Sequence, residues 1–280
     1  MLIFWGKRLL LLLILNVVGC YSNVIIPSST IVLQSVPKSI ESVGWQLKNH
    51  YQVLSNHGFT IGYSDFRGNP IWVNYFLHQL SDKAPFLKRP HNFKTDIRVT
   101  NQVTDASYAG SGYDRGHMAP NAAMSKLYGA QAQADSFLMT NIVPQKANLN
   151  RQWWYHLESV ELYDFTRQFQ QIMVITGPVF DSHIEYLKSN HAVEIPDAFY
   201  KIYMAQSESG KWEALAFLVP QSAQGEDSLH QYVTRIDDIE NVTGLDFFSE
   251  LDDNFENSLE ATIDYESWHL QDVRPINYHQ

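Results

Sequence analysis

Between Tyr108 and Asn121 the chain reads Tyr-Ala-Gly-Ser-Gly-Tyr-Asp-Arg-Gly-His-Met-Ala-Pro-Asn, which sets Arg115 two residues before His117 after a glycine-rich turn. Histidine is the one side chain whose ordinary pKa lets it exchange a proton near neutrality. An arginine beside it offers a planar fork of donors matched to phosphate oxygens. Together they suit attack by water on a phosphodiester, with His117 as general base and Arg115 as charge clamp. The stretch lacks a metal ligand, and Asn150 can supply one: Mg2+ takes oxygen ligands and keeps several waters, and a neutral amide oxygen leaves the ion its full charge for the phosphate. Glu158 follows eight residues later, a rise of about 12 Å on a helix, too far for both to ligate one ion easily. Side chains lean toward a helix N-terminus, so Glu158 is better placed to hold metal-bound water.

The elements that must position these groups are legible as patterns. Residues 149–169 have helical periodicity. On a wheel with Trp153 at zero, Trp153, Leu157, Val160, Trp154, Phe165, Phe169 and Leu162 fill one broad arc that also takes in Asn150 and Glu158. Arg151 and Asp164 fall inside the arc as well. Residues 136–143 read as a strand leading into Pro144-Gln145. Upstream, 51–63 reads as a strand or hairpin, Arg67-Gly68-Asn69-Pro70 as a turn, and 71–80 as a short helix with Trp72, Tyr75, Phe76 and Leu80 facing the core. Downstream come strands at 172–176, 199–204 and 214–219, a turn at Gly177-Pro178, and helical pieces around 228–240 and 245–251.

Asp114-Arg115-Gly116-His117, preceded by Tyr108, Gly110, Ser111 and Gly112, resembles the DRGH signature of the DNA/RNA non-specific endonucleases, the ββα-metal nucleases. A second block, Asn141-Ile-Val-Pro144-Gln145 followed by Leu149-Asn150, Trp154 and Glu158, is similar to that family residue by residue. The resemblance runs over roughly residues 51–251. It implies an α+β fold: a single domain of mostly antiparallel sheet with flanking helices, in which a ββα unit holds His117 and Asn150 about one ion. It also implies Mg2+ (or Mn2+) bound by Asn150, a water shell oriented by Glu158, and Arg89 near the scissile phosphate. Asn141 would meet substrate, DNA and RNA would be the substrates, and the products would carry 5′-phosphate ends. Asp114 braces the motif. Standing alone, Asn150 and Glu158 would read as a helix cap and a surface acid. Two rival functions are a lipid-anchored nucleic-acid-binding protein on a lapsed nuclease scaffold, and a phosphodiesterase for another substrate.

Charge and targeting set the context. Net charge is −10 over 280 residues, awkward for a chain that must approach a polyanion. The acid is unevenly placed: residues 226–272 hold fourteen acids and one base, whereas 20–225 hold sixteen of each. A basic island of Lys83, Lys88, Arg89, Lys94 and Arg98 leads into the histidine motif, with Lys88 and Lys94 as candidates for guiding nucleic acid. Lys7 and Arg8 precede an apolar run at 9–18 and then Gly19-Cys20, the layout of a secretory signal too short to span a bilayer. Val17-Val18-Gly19-Cys20 resembles a bacterial lipobox, and Cys20 is the only cysteine. The expected organisation is a lipoprotein-type signal at 1–19, anchor and linker at 20–48, nuclease domain at 49–255 and an acidic tail region at 256–280. The expected location is the bacterial cell envelope, lipid-anchored to a membrane through Cys20. A homodimer is compatible with the sequence and not required by it.

Overall fold

The computed structural model describes residues 37–39, 50–85 and 87–273. The signal segment, Cys20 and most of the linker lie outside the described residues, as do residues 274–280.

A seven-stranded antiparallel sheet forms the centre. It is built from β1 (Gln52–Asn56), β2 (Phe59–Ser64), β3 (Asn69–His78), β6 (Gln171–Val179), β7 (Ala198–Gln206), β8 (Trp212–Pro220) and β9 (Val233–Thr234), side by side in that order. Two further strands, β4 (Asp114–His117) and β5 (Ile142–Gln145), pair antiparallel as a separate ribbon. Side chains alternate across a strand. On β7, Phe199 and Tyr203 therefore join one core and Tyr200, Ile202 and Met204 the other. The first core lies under the β4–β5 ribbon and a long helix, α2 (residues 149–168), with Trp153, Trp154, Leu157 and Phe165 turned inward. The second lies under α3 (Ile236–Thr243) and α4 (Asp253–Glu260). A shorter helix, α1 (Ala130–Ser136), sits between the ribbon's two strands in the chain.

The mostly antiparallel α+β fold agrees with expectation, but several elements differ. Residues 71–80 do not form a helix. Residues 71–78 belong to β3, whose run Ile71-Trp-Val-Asn-Tyr-Phe-Leu77 supplies apolar groups to both cores, so a strand buried on both faces imitates a helical stripe. The preceding turn is Asp65–Gly68, with Asn69-Pro70 already in the strand. Gly177-Pro178 is not a turn but part of β6. Pairing with β3 stops at Thr176, so the proline's missing N–H faces no partner strand there. A Cβ on Gly177 would meet the Ile71 carbonyl at 2.4 Å. The strand expected over 136–143 begins only at Ile142, after a single helical turn at Met139–Asn141. Of the helical pieces expected late in the chain, 228–240 resolves into a turn at Leu229–Tyr232, then β9 and the start of α3. The piece at 245–251 is not helical: Leu245–Asp246 pairs as a strand with Lys38–Ser39. The segment from 256, expected as a tail, is packed down as far as Trp268 and Leu270, both in the first core.

Candidate active site

β4 carries the motif as an extended strand. Alternation turns Arg115 and His117 to one side and Asp114 and Gly116 to the other. A Cβ on Gly116 would lie 2.0 Å from Gln145 Oε1 and 2.7 Å from its Cγ on β5, so any larger residue here would displace the Gln145 side chain. His117 is 7% exposed and its ring packs against Phe137 at 4.9 Å and Phe93 at 5.4 Å between centroids. Phe93 is held there because the Lys94 backbone exchanges hydrogen bonds with Phe137 and Met139. His117 Nε2 is buried without a hydrogen-bond partner among the described residues. Burial, and secondarily the charge of Arg89, lower its pKa to about 3, so the free site holds a neutral imidazole. Arg89 is exposed, with its guanidinium carbon 5.0 Å from the centroid of the same Phe137 ring.

On the other side of β4, Asp114 accepts hydrogen bonds from Asn150 Nδ2 at 3.1 Å and from Arg151 Nε and Nη2 at 2.7 Å each. These donors, Arg151 first, hold its carboxyl below the usual range. An ionised carboxylate can only accept, so Asn150 must present its amide nitrogen to it. Asn150 Oδ1 is left without a hydrogen bond among the described residues and is the oxygen a hard cation would take. Asn150 stands in the first stretch of α2, Leu149–Trp154, which is wound with the wider i→i+5 spacing often found at functional sites. Gln145, at the end of β5, is fully buried with both amide atoms unpartnered. Glu158 is half-buried. Burial pushes it up to about 7, Glu161 adding to the rise while Lys201 and Arg89 oppose it.

The structure therefore gathers His117, Arg89, Asn150 and Glu158 around one ribbon and one helix, and adds Gln145, a motif residue to which the sequence assigns no role. Arg115 is there too, but ion-paired with Asp105 and flanked by Tyr108 and Phe93. Asn141 is a correction. Fully buried, it donates to the carbonyls of Ala119 and Ser136 and accepts from the Ala119 N–H, so its amide holds the segment after His117 and does not face substrate. Arg98 also leaves the basic island, since it pairs with Asp96 at 2.6 Å and donates to the Ser55 carbonyl and Asn56. Lys83, Lys88 and Lys94 are exposed and make no ion pair among the described residues.

Beneath the site lies a network that the sequence does not announce. Lys201 and Glu161 are both fully buried and pair at 2.9 Å. Tyr75 and Tyr203 donate to Glu161 at 2.9 and 2.6 Å, and the Lys201 nitrogen stands 4.8 Å from the Trp154 ring centre. Buried charges are tolerated only when paired and hydrogen-bonded, and these are. The signal was present: a lysine inside the apolar run Phe199-Tyr-Lys-Ile-Tyr-Met204, and Glu161 at about 80 degrees on the helical wheel, inside the apolar arc.

Neutral imidazole and amide donors, cations beside them and orphaned buried amide atoms make a site that fits an anion and a hydrated hard cation together. Comparison with known proteins identifies the family. Residues 36–254 match the model of a family described as DNA/RNA non-specific endonuclease. A nuclease from a Nostoc species is 29% identical over 227 residues, covering 77% of this chain and 80% of that protein. Human mitochondrial endonuclease G is 29% identical over 209 residues, covering 70% and 69%. Nuclease C1 of Cunninghamella echinulata is 32% identical over 213 residues, covering 71% and 83%. Among solved structures, a chain of the EndoG/EndoGI complex superposes with a TM-score of 0.65 at 24% identity, over 77% of this chain and 95% of its own, which establishes the shared fold.

Proposed function

The chain belongs to the DNA/RNA non-specific endonuclease family, and from that premise we propose that it hydrolyses phosphodiester bonds of both DNA and RNA with Mg2+, or Mn2+ in its place, at the His117–Asn150 centre. One juxtaposition carries the reading: a neutral, unpartnered imidazole nitrogen on the same strand as an aspartate that takes the Asn150 amide nitrogen and frees its oxygen.

His117 accepts a proton from the attacking water. A base with a pKa of about 3 is poorly matched to neutral operation. A phosphodiester seated against Arg89 offsets one of the two causes of that depression and brings the imidazole toward its working range. Arg89 supplies donors to the phosphate directly, and Arg115 does so on exchanging Asp105 for it. Asn150, steadied by Asp114, would hold the ion, with Glu158 and Gln145 on its waters. Bound there, the ion stabilises charge on the phosphate and the departing oxygen. Family resemblance implies 5′-phosphate products.

Purified protein incubated with supercoiled plasmid and with RNA tests this reading: Mg2+ should permit cutting of both and a chelator should stop it. Cutting that persists in chelator overturns the metal's role. Binding of both polymers without cutting would instead favour a lapsed scaffold. The envelope location rests on the stretch from Lys7 to Cys20 alone: we propose that Cys20 is lipidated, so Cys20→Ser should move the protein to the soluble fraction, and native protein recovered without lipid would refute it.

A further inference from the structure

The second face of the sheet holds a group of side chains that phosphodiester hydrolysis does not use. Asp237 and Glu240 stand three residues apart on α3 and so share a side of the helix. Glu260 ends α4, which packs against α3. One carboxylate oxygen from each of the three lies within 4.8 Å of the others. Glu260 is only 5% exposed, and its Oε1 is buried with no hydrogen-bond partner among the described residues. Glu240 is pinned by the Phe247 N–H at 2.7 Å on Oε1, which leaves its second oxygen for another partner. The charged neighbours that act on Glu260 are Glu240, Glu256, Asp237 and Asp246, all acidic.

A buried carboxylate facing other carboxylates must be neutralised by something. A proton shared between two carboxyls would hold their oxygens about 2.5–2.7 Å apart, and Glu260 Oε1 has no donor among the described residues. A cation needs a different spacing. Calcium binds oxygens at about 2.3–2.6 Å, so ligand oxygens up to twice that distance apart can all reach one ion. The three oxygens, all within 4.8 Å of one another, satisfy this. Mg2+ demands a tighter octahedron and prefers to keep its waters, whereas Ca2+ accepts several carboxylates in irregular geometry. We propose that Asp237, Glu240 and Glu260 form a calcium site, separate from the nuclease centre, that clasps α3 to α4. It gives the acidic stretch 226–272 a role beyond solubility.

Without the ion, burial and the neighbouring acids push Glu260 up to about 9 and Glu240 up to about 7. The test is thermal melting of the whole protein at pH 8 in metal-free buffer, titrated with CaCl2 and separately with MgCl2. Calcium should raise Tm saturably and magnesium much less. Glu260→Gln should raise the calcium-free Tm by removing repulsion, abolish the calcium response and leave plasmid cleavage unchanged. Asp237→Asn, at a more accessible position, should weaken calcium binding at least about tenfold. Asn150→Ala should keep the full response, which separates this site from the nuclease centre. A Tm indifferent to millimolar calcium, a Glu260→Gln protein that still responds, or a response lost in Asn150→Ala would each overturn the proposal. So would a Tm that follows pH alone, since the cluster would then hold a proton.

Discussion

The two faces of the central sheet treat charge in opposite ways. On the ribbon side Asp114 meets Arg151, Asp96 meets Arg98, Asp105 meets Arg115 and Glu161 meets Lys201. The buried groups left without partners beside the motif, among the described residues, include the neutral His117 imidazole and Gln145 amide, while Lys83, Lys88 and Lys94 are exposed and unpaired. On the α3–α4 side the unpartnered groups include a carboxylate, Glu260, whose charged neighbours are all acidic. Buried unmet polarity is thus neutral beside the motif and acidic under α3 and α4. Neutral donors beside free cations suit an anionic substrate that brings its own charge, whereas unmatched acids suit a cation alone.

The contrast can be broken from either side. The largest expected effect is at the base: His117→Ala should cut the rate of plasmid cleavage by ~10²–10⁴-fold while the protein stays folded. A variant that nicks plasmid at the parental rate would end the assignment of the ribbon side as the catalytic one. Next comes the buried pair beneath it. Lys201→Met leaves Glu161 buried without its counter-charge, only Tyr75 and Tyr203 still donating to it, which should cost about 3–5 kcal/mol in denaturant unfolding. Adding Glu161→Leu should recover much of that loss. Equal stability of the single and double variants would mean that the two charges are not coupled.

Asp114→Ala removes the acceptor that orients Asn150, so activity should need ~10–100-fold more metal with a nearly unchanged plateau rate. A lowered plateau at unchanged metal requirement would move Asp114 from brace to chemistry. The smallest effect is on approach. Lys88→Gln with Lys94→Gln should lower kcat/KM on long nucleic acid modestly and reduce its salt slope by about one unit for each phosphate that a lysine no longer neutralises. If the parental slope survives, the exposed lysines are a solvated surface and Arg89 works without an electrostatic approach path.

What could be read without coordinates was whatever lies close together along the chain. Asp114 to His117 is contiguous, and a strand needs only four residues to turn Arg115 and His117 to one side. The helix bearing Asn150 and Glu158 declared itself through its inward aromatics, because helical spacing is a local property. The same locality explains the errors. Residues 71–77 are apolar on both sides of a central strand, which erases the alternation that tells strand from helix. Asn141 sits inside a motif and so looked like a substrate contact, yet its amide is consumed by Ala119 and Ser136.

By itself, then, the sequence determined the family, the antiparallel α+β frame and the two short motifs that carry the proposed base and metal-facing asparagine, since each is written in a short run of residue types. Tertiary structure alone decided the partners. Glu161 meets Lys201 forty residues away, Asp114 orients Asn150 across thirty-six, and Glu260 is brought onto Asp237 and Glu240 by the packing of two helices. Such pairings leave no local periodicity, because what selects them is the cost of burying a charge unmet, and burial exists only once the sheet and its two layers have closed.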